Sequence, residues 1–156
     1  QRAASTLPAA PSRTLVGRRI VVVDDDPAVV AAMRALFASW KATAVGGADA
    51  NSALAALGTA DGTVRGEVDL IVADLRLADG KSGIDAIARL RCALGSATPA
   101  LVVSGDTSGA AQAEVRAAGV ELLVKPVVAA ALKDAAEGAL GMRADSSRAR
   151  EWVASS

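Results

Sequence analysis

The sequence predicts an α/β fold: a doubly wound parallel sheet of five strands alternating with five helices, in strand order 2-1-3-4-5. Three observations carry this. Short apolar runs recur at Ile20-Val21-Val22-Val23, Leu70-Ile71-Val72-Ala73, Ala100-Leu101-Val102-Val103 and Val120-Glu121-Leu122-Leu123-Val124, the second of them apolar on consecutive positions as in a strand covered on both faces. Segments with apolar residues at helical spacing separate them, and such short crossovers force parallel pairing and right-handed connections. Each run also ends in polar residues, namely Asp24-Asp25-Asp26, Asp74, Ser104-Gly105 and Lys125-Pro126. That carboxyl edge is where open α/β sheets place their ligands.

Residues 1–17 carry Ser5, Pro8, Pro11 and Ser12 without periodicity and read as a flexible arm or linker. Arg19 to Val23 is the first strand. Asp26 then offers an N-cap with Pro27 at the first helical position, and Val29, Met33, Leu36 and Trp40 give a helical stripe from about Pro27 to Trp40. Ala42 to Val45 is a short second strand closed by Gly46-Gly47. Asp49 or Ser52 starts a helix over Ala53 to Leu57 that stops at Gly58. Thr59 to Glu67 reads as a polar insertion.

After the strand ending at Asp74 comes a loop to Ser82, then a helix carrying Ile84, Ile87, Ala88 and Leu94 that stops at Gly95. Pro99 leads into the strand ending at Ser104, and an alanine-rich helix runs from about Thr107 to Ala118. The last strand delivers Lys125. The last helix follows, with Val128, Leu132, Ala135, Ala136, Ala139 and Leu140 as its inner face. Residues 142–156 read as a flexible tail. The result is a flavodoxin-like (βα)5 domain over residues 18–141, within the size one chain of 156 residues supports.

Composition excludes several classes of function. There is no histidine, so triads of the Ser-His-Asp kind and His-ligated zinc are out. Cys92 is the only cysteine, which suits a reducing compartment. Seventeen basic residues balance seventeen acidic ones. With three aromatics, Phe37, Trp40 and Trp152, this argues against nucleic acid as a partner. No apolar run approaches the roughly 20 residues of a membrane span, so the chain reads as soluble and cytoplasmic, though a parent protein can carry an anchor elsewhere. The start at Gln1 rather than Met suits a piece of a longer protein.

The converging side chains suggest one chemistry. Asp24, Asp25 and Asp74 held together would repel one another and need a counter-charge. Magnesium, with oxygen ligands and retained waters, suits such a site. Asp25 and Asp74 are the direct ligands in this reading, with Asp24 acting through water and the backbone carbonyl near Arg76 adding an oxygen. Asp74 is then a carboxylate nucleophile toward phosphorus. Lys125 supplies a point charge to the transferring group, Ser104 a hydroxyl donor, and Gly105 room and a free amide. Each part alone has a plainer explanation as a cap, a solvated acid or a turn. Their joint occurrence at successive strand ends does not.

As a set, Asp24-Asp25, Asp74, Ser104 and Lys125-Pro126 resemble the receiver domain of two-component response regulators, over about Arg18 to Leu140. The resemblance implies that Asp74 takes a phosphoryl group from phosphohistidine on a histidine kinase or histidine phosphotransfer domain, with Mg2+, and loses it by hydrolysis. The chain would be a signalling switch that acts only on itself, not an enzyme. It further implies that Arg76 and Asp106 tune hydrolysis by pairing across the site mouth, and that Ser104 and the residue at Leu122 form the switch.

Asp74-Leu75-Arg76-Leu77, Gly80, Ser82-Gly83-Ile84-Asp85 and Leu122-Leu123-Val124-Lys125-Pro126-Val127 are similar to receivers at the carboxyl end of hybrid sensor histidine kinases. Leu122 stands where many members carry Tyr or Phe, and Ala78 where a proline is common. Alanine-rich surfaces on the first and last helices leave room for a homodimer. Two rivals are a phosphate-independent interaction module and a haloacid-dehalogenase-like phosphatase built on Asp24-Asp25-Asp26. The second needs an acidic pair after the lysine, where only Asp134 and Glu137 follow, and leaves Asp74 unexplained.

Overall fold

The computed structural model describes residues 15–58, 67–95 and 97–141. Strands β1 (Arg19–Val23), β2 (Thr43–Gly47), β3 (Leu70–Asp74), β4 (Ala100–Ser104) and β5 (Glu121–Val124) form one parallel sheet in the order β2-β1-β3-β4-β5. They alternate with helices α1 (Pro27–Ser39), α2 (Ala50–Ala56), α3 (Gly83–Leu94), α4 (Gly109–Ala117) and α5 at 129–141. The architecture and strand order are those the sequence predicts.

Successive strand residues point to opposite faces, and the apolar runs divide accordingly. Val21, Val23, Ile71, Ala73 and Val102 pack with Ala53, Ile87, Leu90, Ala111 and Val115 beneath α2, α3 and α4. Ile20, Val22, Leu70, Val72, Leu101 and Val103 pack with Met33, Phe37, Leu132 and Ala136 beneath α1 and α5. Both faces of β1, β3 and β4 are therefore dry. Each Val, Leu or Ile so buried stabilises the fold by about 1.5–3 kcal/mol.

Local chemistry sets the helix starts. The Asp26 carboxylate accepts from Ala28 N at 2.9 Å with Pro27 at the first helical position of α1. Asp49, rather than Ser52, caps α2, accepting from Ser52 N at 2.8 Å. Ser82 Oγ accepts from Ile84 N at the start of α3, and Gly95 ends that helix in the left-handed region at φ 67°. α4 begins two residues later than the pattern suggests. Asp106 Oδ1 holds Ser108 N in a turn of its own, and Ser108 then becomes the cap.

Three expectations need correction. Gly46 and Gly47 lie inside β2 instead of closing it. A Cβ on Gly46 would sit 2.5 Å from the Val22 carbonyl oxygen, and one on Gly47 2.6 Å from Ser52 Cβ, so both glycines serve close packing. Val128 precedes α5 and is 65 % exposed, while Val127 packs against the α1/α5 core. Leu15, assigned to the arm, is buried in that same core, and Gly17 N donates to Lys41 O. Ala28, Ala31, Ala32, Ala35 and Ala38 of α1 and Ala129, Ala130 and Ala131 of α5 are exposed, while Ala135 and Ala136 of α5 are buried.

The rest of the arm, nearly all of the Thr59 to Glu67 insertion and the tail from 142 lie outside the described residues. Among the described residues no helix is long and apolar enough to cross a membrane.

Candidate functional site

The order β1-β3-β4-β5 brings four strand ends side by side. β1 runs into Asp24 and Asp25, β3 ends on Asp74, β4 ends on Ser104, and β5 leads into Lys125. In register, Val23 lies opposite Ala73, Asp74 opposite Val103, and Ser104 opposite Val124. Lys125 N donates to Ser104 O, continuing the ladder by one residue, and the Lys125-Pro126 peptide is cis.

One carboxylate oxygen each from Asp24, Asp25 and Asp74 lie within 4.8 Å of one another. Asp24 is only 3 % exposed, its Oδ1 accepting from Asp26 N at 2.9 Å, while Asp25 is open to solvent. The Asp74 side chain is 11 % exposed. Arg76 N donates to its Oδ1 at 3.1 Å, and Lys125 Nζ donates to its Oδ2 at 2.8 Å.

The electrostatics follow from this geometry. Burial pushes the Asp24 carboxyl above its ordinary value, the Asp26 amide opposes the rise, and the nearby Asp74 charge adds to it. The hydrogen bond to Asp74 raises the Lys125 ammonium against a smaller effect of burial, so Lys125 is cationic throughout the neutral range. The Ser108 amide lowers the Asp106 carboxyl, with Arg76 contributing less.

Because the folded-state pKa of Asp24 is raised, its protonated form contributes stability that is complete below the unfolded value of 3.8 and lost as pH rises through the folded value. In chelator-containing buffer near pH ~7, Asp24→Asn is therefore expected to unfold at higher urea concentration than the wild type. The gap should narrow as pH falls toward 3.8. Equal midpoints across that range would remove the argument that burial and the nearby Asp74 charge penalise the Asp24 carboxylate. The Asn carbonyl oxygen keeps the acceptor for Asp26 N, so the test isolates the charge.

The site's donor set suits a hard cation. All three side chains offer oxygen, and among the described residues this is the one cluster of three acids with ligand atoms so close. The Arg76 carbonyl is also available on topological grounds. The antiparallel bridge between Arg76 and Ser82 is closed by its neighbours, Leu77 N to Lys81 O at 2.9 Å and Gly83 N to Leu75 O at 2.8 Å.

Ser104 is buried, and its Oγ accepts from Asp106 N at 3.0 Å, which leaves its own hydrogen to donate. A Cβ on Gly105 would meet nothing within 4 Å, so the approach there is open. Leu122 is half-buried and packs against the core beneath α2, α3 and α4. An open cleft of about 360 Å³ flanks Asp24 and Asp25, walled by Pro27, Val30 and Arg34 of α1 and by Gly46 and Gly47.

Arg76 and Asp106 meet, Nη2 to Oδ2, at 3.5 Å. Sequence reasoning did not single out Glu114 of α4, whose Oε1 lies 3.3 Å from Arg76 Nη1. Its signal in the sequence is faint, an acid on the flank of a helical stripe. Asp134 and Glu137, which the phosphatase reading would require beside the acids, lie on α5. Asp24 and Asp25 cluster with Asp74 instead. The assembly is a carboxylate paired with an ammonium, beside a buried hydroxyl and two further carboxylates whose oxygens could hold a cation.

Compared with known families, residues 20–137 match the response regulator receiver domain. No curated protein matches the chain. Solved structures with the same fold include a CheY-like response regulator receiver domain from Methanospirillum hungatei JF-1, 20 % identical, covering 83 % of this chain and 98 % of that one at a TM-score of 0.69. The chemotaxis response regulator CheY4 of Vibrio cholerae is 20 % identical, with 80 % and 99 % covered and a TM-score of 0.64. A response regulator from Burkholderia pseudomallei, with a phosphorylated aspartic acid, calcium ion and citrate, is 20 % identical, with 86 % and 74 % covered and a TM-score of 0.64.

Proposed function

Since the chain belongs to the response regulator receiver domain family, we propose that it is a phosphoacceptor switch in which Asp74 receives a phosphoryl group from phosphohistidine on a histidine kinase or histidine phosphotransfer domain. The Asp74 carboxylate attacks phosphorus. The bond from phosphorus to the donor's imidazole nitrogen breaks as the bond to the carboxylate oxygen forms, and the electron pair returns to the imidazole. The observation that carries this reading is Lys125 Nζ at 2.8 Å from Asp74 Oδ2, because an ammonium there can pass from the free carboxylate to the incoming phosphoryl oxygens.

Asp24, Asp25, Asp74 and the Arg76 carbonyl would hold Mg2+, which when bound supplies positive charge against the three carboxylates and the transferring group. Ser104 donates its hydroxyl hydrogen to a phosphoryl oxygen and Gly105 leaves space for the donor. Arg76 and Asp106 restrict the water that later cleaves the acyl phosphate. Ser104 and Leu122 carry the change of state toward α4 and β5. The donor domain docks on exposed α1, which forms one wall of the cleft beside Asp24 and Asp25, and on the loop after Lys125. Support for an origin in a hybrid histidine kinase is the wording of the Asp74 loop, the α3 start and the Lys125 segment.

The test is intact mass after incubation with acetyl phosphate, with and without magnesium. A gain of one phosphoryl group that needs magnesium, traced by borohydride reduction and peptide mapping to position 74, is the expected result. No gain from acetyl phosphate, followed by no transfer from phosphohistidine proteins, would make the phosphate-independent module the better reading.

A further inference from the structure

We propose that Glu114, on α4, is a positioning residue for the lifetime of the phosphorylated site, acting through Arg76; the proposal rests on the phosphoacceptor reading above. Arg76 is tied at both ends. Its backbone amide donates to Asp74 Oδ1 at 3.1 Å. Its guanidinium reaches across the mouth of the site to two separate walls, Nη2 to Asp106 Oδ2 at 3.5 Å and Nη1 to Glu114 Oε1 at 3.3 Å.

The two anchors differ in kind. Asp106 is fixed by the backbone of its own loop, since Oδ1 accepts from Ser108 N and its amide donates to Ser104 Oγ. Glu114 is carried by a helix whose Ala111 and Val115 are buried in the core. With one carboxylate at 3.5 Å and its side chain 54 % exposed, Arg76 would sample other rotamers in water. A second carboxylate on a second nitrogen restricts it to the bridging pose. The guanidinium then stays in the path by which water reaches the acyl phosphate.

Hydrolysis itself needs no added reactant. Water oxygen bonds to phosphorus, the bond from phosphorus to the Asp74 oxygen breaks, the carboxylate leaves with the electron pair, and the proton goes to the phosphate or to solvent. Loosening Arg76 raises the frequency of that attack. It leaves the acid cluster and Lys125 untouched, so uptake is unaffected. Lifetime is thereby coupled to α4.

The experiment loads the protein with acetyl phosphate and magnesium, removes the donor and follows loss of the phosphoryl group by intact mass. Glu114→Gln is expected to shorten the lifetime about twofold to fivefold, the range an exposed ion pair supports. The difference should shrink at high salt. Arg76→Ala should shorten it too, and Glu114→Gln should add nothing in the Arg76→Ala background, an outcome that a merely structural role for Glu114 would not produce. A Glu114→Gln lifetime equal to the wild type, or a Glu114 effect that persists without Arg76, overturns the inference alone. Failure of the wild type to take up phosphoryl from any donor overturns the phosphoacceptor reading and this inference together.

Discussion

Lys125→Met is expected to slow phosphoryl uptake at Asp74 by about a hundredfold, the scale on which single preorganised charge donors act. The length and apolar stem of the side chain are kept, so the change removes little besides the ammonium. That ammonium is the group poised on Asp74 Oδ2 at 2.8 Å, and its raised pKa keeps it charged throughout the neutral range. Without it, a phosphoryl group carrying negative oxygens would approach three carboxylates with one less positive charge beside them. Lys125→Arg is expected to recover little, because a planar fork replaces a compact point charge in a site framed by strand ends. The time course of mass gain measures both variants. Uptake by Lys125→Met within threefold of the wild type would remove Lys125 from the mechanism.

Gly83→Ala is expected to lower the free energy of unfolding by about 2–3 kcal/mol. Gly83 opens α3 where that helix runs against the end of β3. A Cβ there would fall on the Asp74 carbonyl oxygen, with the Asp74 carbonyl carbon at 2.8 Å and Ala73 Cβ at 3.3 Å, and all three belong to a buried strand. Alanine gains at most about 1 kcal/mol in helix propensity over glycine. A backbone clash that displaces a packed strand outweighs it. The shift would move the Asp74 carboxylate away from Lys125, so uptake should fall as well.

Gly109 supplies the internal comparison. It occupies the same first position of α4, and a Cβ there meets nothing within 4 Å, so Gly109→Ala is expected to raise stability by about 0.5–1 kcal/mol. Urea denaturation of both variants decides the matter. A Gly83→Ala midpoint at or above the wild type would mean that α3 can slide without moving Asp74.

The paired glycines illustrate how much local reasoning conveys. Gly95 marks a helix end that the chain's periodicity also marks, and its left-handed φ agrees. Gly46 and Gly47 look identical to a turn signal but stand within β2, because α1 and α2 press on that strand from either side. A glycine required by a neighbour and one required by a turn cannot be told apart until the neighbour is known. The same applies to Val127 and Val128, adjacent valines of which one is covered and one is not.

Strand identity, the alternation with helices, the cap at Asp26, and the residue types at each strand end are all legible in the chain. A strand covered on both faces needs consecutive apolar residues, and a cap must stand within a few positions of the amides it satisfies. Those requirements act over a handful of residues. The contacts that make the site act over many more. Lys125 meets Asp74 across 51 positions, and Arg76 meets Asp106 across 30 and Glu114 across 38. The crossover pattern foretells that these strand ends converge. Which oxygen Lys125 takes, how deeply Asp24 and Ser104 are buried, and the choice of Glu114 as the second anchor of Arg76 depend on strand register and on the seating of α4. Both are set by packing among distant segments, and periodicity along the chain carries no record of it.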